Sequence, residues 1–425
     1  MEDKISLAPE KRVTAGLRGA SWNPDLLPAD MKSAVHPTQT ADGAQVIGVL
    51  HSRGGEKTAV FIMHPRELLI SHYAVPYLVQ NGYAVWVQGP RTVGNDLRLE
   101  HELAVHDVAA GVKRLRELGF ERIVLLGNSG GASLFAFYNH QASLPADQRI
   151  ARTPGGRPTK LPETELLPVD GFIFIAPHPG QGKLVLAGID PSVTDEKDPF
   201  SVDAALDPFC ENNGYKPAAD GGATYAPDFI ARYRAAQKER VARIDQFAKS
   251  LIREKMDAKK RGKDGTGTYT QMRADAQQAA LGSMFNVWRT DADLRCFDLK
   301  LDTSDRRFGT VWGADPIASN FGSVGFARIC TPESWLSTWS GLSSNASFDK
   351  CGGAISQPSL LIYYTGDNTV FPGDVQAIFD SIGASDKQRH DVRGNHHGQP
   401  LKRDEPLGQD IAAAHIIGWL QARFN

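Results

Sequence analysis

The sequence predicts an α/β fold: a mostly parallel central sheet with helices on both faces plus an inserted, mainly helical cap. Three observations carry this expectation. From Thr58 to Ala176, short apolar runs bounded by turn residues alternate with segments of helical spacing. The alternation returns at Ser359 and continues to Arg423. Between these stretches, residues 182–355 lose the rhythm over a length too great for a loop. Residues 1–181 and 356–425 are therefore expected to form the core, and 182–355 a cap or lid.

The elements follow in chain order. Ser33–Thr38 and Gln45–His51 flank the turn residues Ala41-Asp42-Gly43 and read as an antiparallel hairpin. Thr58–Met63 is a compact apolar strand, Ser71–Asn81 a helix and Ala84–Gln88 the next strand. In Arg98–Leu118 the apolar residues Leu99, Leu103, Val108, Val112, Leu115 and Leu118 recur mostly every three or four positions, which marks one buried helical face. Glu121–Leu126 reads as a strand, Ala132–Tyr138 as the opening of a helix, and Val169–Ala176 as a further strand. Inside the insertion, Pro227–Lys260 is amphipathic, with Ile230, Tyr233, Val241, Ile244, Phe247, Leu251 and Ile252 among its apolar positions. Its basic end, Lys259-Lys260-Arg261-Gly262-Lys263, complements a helix C-terminus, with Gly262 as the stop. Ser359–Tyr364 is a buried strand; a helix at about 372–382, a short strand near 389–392 and a last helix at about 408–423 complete the chain.

Composition narrows the function classes. At 425 residues the chain holds one elaborated domain or two. Hydrophobic residues at 41% and charged residues at 23% fit a soluble globular protein rather than a disordered one. A net charge of −2 argues against a general nucleic-acid binder. No apolar stretch is long enough to span a bilayer, and Met1-Glu2-Asp3-Lys4 is followed by no apolar signal region, so a cytoplasmic location is expected. Cys210, Cys296, Cys330 and Cys351 lack metal-site spacing and read as reduced thiols, with a Cys330–Cys351 bridge as the alternative.

The chemistry centres on Gly127-Asn128-Ser129-Gly130-Gly131, a Gly-x-Ser-x-Gly sequence that follows a strand and opens a helix. A serine there sits on a sharp turn with its Oγ projecting above the sheet, and the helix N-terminus behind it favours developing negative charge. A serine hydroxyl needs a base, and the base an orienting carboxylate. Asp367 follows the strand Ser359–Tyr364, where open α/β sheets place their sites; Asp374 is a weaker candidate, expected inside the next helix. Gly394-Asn395-His396-His397-Gly398 follows the next strand, and His396 is favoured over His397 as the base. An oxyanion hole needs two backbone donors. Gly130 offers one; the loop His64-Pro65-Arg66-Glu67 offers the other, from Arg66 or else Glu67, since Pro65 has no N–H. His64 is expected to buttress this loop.

The order Ser129, Asp367, His396, set in β/α alternation, resembles the α/β-hydrolase superfamily over about residues 30–180 and 356–425. The run from His64-Pro65-Arg66 through Arg91–Asp96 to Gly127–Gly131 looks like a bacterial branch that departs from glycine at the second position of its His-Gly loop, as Pro65 does here. The resemblance implies a cofactor-independent, metal-free serine hydrolase of the carboxylesterase kind, with a cap after the strand that follows the elbow helix. Amide, thioester, lactone or carbon–carbon bond cleavage and acyl transfer are open on the same triad. Trp288, Trp312, Trp335 and Trp339 in the cap favour a bulky apolar or aromatic small-molecule ester, unless they only build the cap's own core. No nucleic acid or membrane is expected as partner, and self-association is left open. The competing classes are a non-catalytic binding protein on the same fold and a metal enzyme using His64, His72, His101 or His106.

Overall fold

The computed structural model describes residues 22–94, 96–323 and 325–424; Met1–Lys4 and Asn95, both used in the sequence reading, lie outside them. The strands are β1 (Lys32–Gln39), β2 (Gln45–Ser52), β3 (Thr58–Met63), β4 (Ala84–Gln88), β5 (Arg122–Asn128), β6 (Gly171–Ile175), β7 (Phe285–Asn286), β8 (Ile329–Cys330), β9 (Ser359–Tyr364) and β10 (Lys387–Val392). The α-helices are α1 (Ala74–Gln80), α2 (His101–Glu117), α3 (Gly130–Ser143), α4 (Gln181–Gly188), α5 (Pro227–Asp264), α6 (Tyr269–Ala280), α7 (Pro316–Phe321), α8 (Pro332–Ser334), α9 (Phe348–Cys351), α10 (Pro372–Ser381) and α11 (Gly408–Gln421).

Eight strands form one sheet in the order β1-β2-β4-β3-β5-β6-β9-β10. β2 runs antiparallel to β1 and β4, and every other pairing is parallel. The inner strands β3, β4, β6 and β9 are buried at every residue, because helices cover both faces. Side chains alternate across the pleat. Phe61, Trp86, Leu125, Phe172 and Phe174 pack with α2 and α3 on one face, while Val60, Ile62, Val85, Leu126 and Ile173 pack with α1 and α11 on the other. At about 1.5–3 kcal/mol for each large apolar side chain, these two layers dominate the stabilisation.

Register brings the strand ends level. Met63 pairs with Gln88, Asn128 with Ile175, Ile175 with Ile362, and Val392 with Tyr364. The loops after β3, β5, β6, β9 and β10 therefore open on one edge of the sheet, the carboxyl edge where parallel sheets place sites.

The segment between β6 and β9 holds α4 to α9 and the two-residue ribbon of β7 with β8. α5 is its long amphipathic helix, burying Phe229, Tyr233, Val241, Ile244 and Ala248. It passes through Gly262 and ends at Gly265, which takes the left-handed conformation (φ 62°). Gly262 is not the stop: a single glycine costs a helix interior only about 1 kcal/mol, whereas the αL turn demands one. Ala346, Phe348, Cys351 and Ile355, at the end of the expected cap, pack in the sheet's own cluster. No disulfide joins Cys210, Cys296, Cys330 or Cys351, so the Cys330–Cys351 bridge is not made; Cys330 and Cys351 are buried in different apolar clusters. Among the described residues no helix is long and apolar enough to cross a membrane.

Candidate active site

Ser129 is the turn between β5 and α3, held at φ 55° and ψ −122°, a strained conformation for a residue with a side chain. The surrounding structure enforces it. The Ser129 amide donates to the Ile175 carbonyl (2.9 Å), and the Ser129 carbonyl accepts from His178 N (3.1 Å) and Ala132 N (3.2 Å). The flanking glycines are steric necessities. A Cβ on Gly127 would stand 2.6 Å from Ala132 Cα, and one on Gly131 would strike the Met63 carbonyl oxygen. Gly130 is the first residue of α3, so its N–H lies outside the helical ladder.

Asp367, three residues beyond β9, is fully buried. Its Oδ1 accepts from the amides of Thr369 (2.6 Å) and Val370 (3.2 Å), leaving Oδ2 to accept from His396 Nδ1–H at 2.6 Å. The Nε2 of His396 then carries the lone pair and lies 3.2 Å from Ser129 Oγ. His397 stands edge-on to His396 with 5.0 Å between ring centroids, and its buried Nδ1 has no hydrogen-bond partner among the described residues. Burial, then the charge of His396, pushes the His397 imidazole down to about 3. His396 is thus the histidine that joins Asp367 to Ser129. Asp374 lies in α10 and pairs with Arg295 instead.

One group in the site escaped the sequence reading. His178, in the loop after β6, places Nε2 2.7 Å from Ser129 Oγ, and its Nδ1 lies 3.3 Å from Gln181 Oε1. Burial, then the charges of His396 and His64, holds this imidazole well below its ordinary value, so it is neutral at pH 7. The only signal was its place at a strand's carboxyl end, in Ala176-Pro177-His178; that Ala176 turns to φ 43° and brings His178 back over Ser129 is not written locally.

The loop after β3 differs from expectation in direction. The Arg66 amide donates to His64 Nδ1 (3.2 Å), within its own loop, so His64 does brace that loop. The Arg66 guanidinium lies over Phe326 (5.3 Å) and Trp339 (5.4 Å). Phe326 also meets the edge of His178 and packs on Trp312. Phe326 thus links the aromatics of the insertion to His178, which in turn contacts Ser129, itself 7% exposed. Trp339 and Trp335 are both fully buried in the insertion's own apolar cluster, against which Phe326 packs; the Trp335 Nε1–H is donated to Asp245 (2.7 Å). His101 and His106 are separately buried; His106 bonds the Thr159 carbonyl. Among the described residues no group of three or more His, Cys, Asp or Glu is placed to hold a metal ion.

No protein-family model and no curated protein matches the chain. Solved structures similar to it include DcsB in complex with its substrate analogue (11% identity, TM-score 0.49, covering 92% of this chain and 100% of that one). The α/β hydrolase GrgF from Penicillium sp. sh18 is similar at 12% identity and TM-score 0.49, over 92% of this chain and 99% of that one. The esterase Pf2001 from Pyrococcus furiosus is similar at 12% identity and TM-score 0.43, over 96% of each chain. At these distances none of their chemistry is carried over. The assignment of the fold rests on this chain's own strand order, its antiparallel second strand, its strained serine turn between β5 and α3, and the order Ser129, Asp367, His396 along the strand ends. By those features the chain has the α/β-hydrolase fold.

Proposed function

We propose that the protein is a serine hydrolase that cleaves a carboxylic ester, with a bulky apolar or aromatic small molecule as substrate. The observation that carries the reading is the continuous contact from Asp367 Oδ2 through both ring nitrogens of His396 to Ser129 Oγ. Ser129 Oγ attacks the carbonyl carbon as its proton passes to His396 Nε2, and the buried Asp367 carboxylate stabilises the imidazolium. His178 Nε2 is also within reach of that proton, but it has no carboxylate behind it, so only His396 gains basicity as charge develops. The Gly130 amide meets the oxyanion, supported by the N-terminus of α3. Collapse returns the proton to the leaving alcohol, and water then hydrolyses the acyl-enzyme by the same route. The partly exposed aromatics Phe326, against His178, and Trp312, packed on Phe326, support an apolar or aromatic group next to the scissile bond.

The test is labelling of the folded protein by a fluorophosphonate, followed by an ester panel of varied acyl length and aromatic character. Stoichiometric labelling that vanishes in Ser129→Ala, with turnover rising toward bulky apolar esters, is the expected result. Absence of labelling, or labelling that persists in Ser129→Ala, would overturn the assignment.

A further inference from the structure

A tetrahedral oxyanion is held by at least two donors aimed at one point, and the Gly130 amide is one of them. The loop after β3 would ordinarily give the second from its backbone. Here Pro65 has no N–H, and the Arg66 N–H is donated to His64 Nδ1 at 3.2 Å. That bond determines the state of the ring. A backbone N–H can only donate, so Nδ1 carries a lone pair and the one proton of the neutral imidazole is on Nε2. Nε2 makes no hydrogen bond to the described residues, although His64 is only 5% exposed. It lies 3.0 Å from the point where a Cβ on Gly130 would stand, so it packs over the Cα of the residue that supplies the first donor.

We propose that His64 Nε2–H is the second oxyanion donor, a side-chain N–H in place of the Arg66 amide that His64 Nδ1 engages. This rests on the serine-hydrolase reading and makes His64 a catalytic residue. As the Ser129 Oγ–C bond forms, the carbonyl π pair moves onto oxygen and the serine proton goes to His396. His64 transfers no proton and only donates a hydrogen bond to the new O⁻. Burial, then the charges of Arg66, His396 and His101, keeps the ring well below its ordinary value. A neutral imidazole is thus held beside the oxyanion, the same electrostatic device by which a neutral histidine polarises a carbonyl in other enzymes. A glycine at 130 is what leaves room for it.

The second-order rate of fluorophosphonate labelling tests the assignment, since the phosphonyl oxygen occupies the oxyanion position. His64→Phe fills the space without a donor, His64→Gln keeps an N–H near the place of Nε2, and His64→Asn carries its N–H nearer the place of Nδ1. His64→Phe is expected to label roughly a hundredfold more slowly, the cost of losing one such donor. His64→Gln should recover most of that rate and His64→Asn little of it. Should His64→Phe fail to fold, the comparison of Gln with Asn stands alone, and equal rates in the two would overturn the proposal. Ser129-dependent labelling that His64→Phe leaves within threefold of wild type would also overturn it while sparing the hydrolase reading. So would a loss of rate confined to Gln181→Leu, whose amide nitrogen crowds Gly130 from another direction. Wild-type protein that the probe ignores would remove the hydrolase reading and the role of His64 together.

Discussion

His178 Nε2 lies 2.7 Å from Ser129 Oγ, nearer than the 3.2 Å that separates the same oxygen from His396 Nε2. The serine has one proton and two imidazoles within reach. They differ in what stands behind them: a buried carboxylate at His396, a carboxamide at His178. Removing His178 takes away one hydrogen bond between neutral groups, ~1 kcal/mol, so His178→Ala should slow labelling about tenfold at most. His396→Ala removes the base and should cost about a hundredfold to ten-thousandfold. Side-by-side labelling rates decide it; equal losses would mean that His178 shares the base's role.

Asp367→Asn should be far more damaging than its size implies. Thr369 and Val370 donate their amides to Oδ1, so an asparagine would place its carbonyl oxygen there and turn its NH₂ toward His396 Nδ1. That forces the imidazole proton onto Nε2, facing Ser129, the wrong tautomer for a base. A loss of about ten-thousandfold in turnover is expected with the fold intact, checked by steady-state kinetics alongside circular dichroism.

The strain at Ser129 is measurable. Its φ of 55° and ψ of −122° cost a side-chain-bearing residue about 1–3 kcal/mol, partly offset in glycine by the larger entropy of its unfolded chain. Ser129→Gly should therefore be inactive yet more stable than Ser129→Ala, by about 1 kcal/mol. Urea unfolding of the two variants tests this, and a less stable glycine variant would count against the strained turn.

Glu100, at the N-cap of α2, sets a pH dependence of stability. It is 4% exposed and, among the described residues, has only Arg157, at 3.2 Å, as an ion-pair partner. Burial raises its carboxyl from an ordinary 4.5 to about 7; Arg157 opposes the rise, while Glu102 and Glu333 add to it. Between those two values the folded chain keeps a proton that the unfolded chain loses, so stability falls as pH rises through this window and levels off above it. Glu100→Gln removes the penalty, on the order of 3 kcal/mol. Its melting temperature should exceed that of the wild type at pH 8 and match it at pH 4.

The legible parts of the chain were those governed by short-range rules. Apolar runs located the inner strands β3, β4, β5, β6 and β9, because burial on both faces demands them, whereas the edge hairpin of β1 and β2 was marked by its turn residues. Gly127, Ser129 and Gly131 marked the turn because backbone sterics within five residues dictate it. Asp367 and the His396-His397 pair were found by their place at carboxyl ends of strands. What tertiary structure alone decided was direction. The contact of Oδ2 with His396 rather than His397, the return of His178 from 49 residues away onto Ser129, and the Arg66 amide turned toward His64 all depend on how separate loops pack against one another. Cysteine spacing likewise left a bridge open that packing in different clusters rules out. Sequence alone determined that the ends of β5, β9 and β10 carry Ser129, Asp367 and the histidine pair, since local sterics and hydrophobic period suffice for that; it did not mark His178 at the end of β6. Which atom of each group faces the serine was decided by long-range packing, where no local pattern reaches.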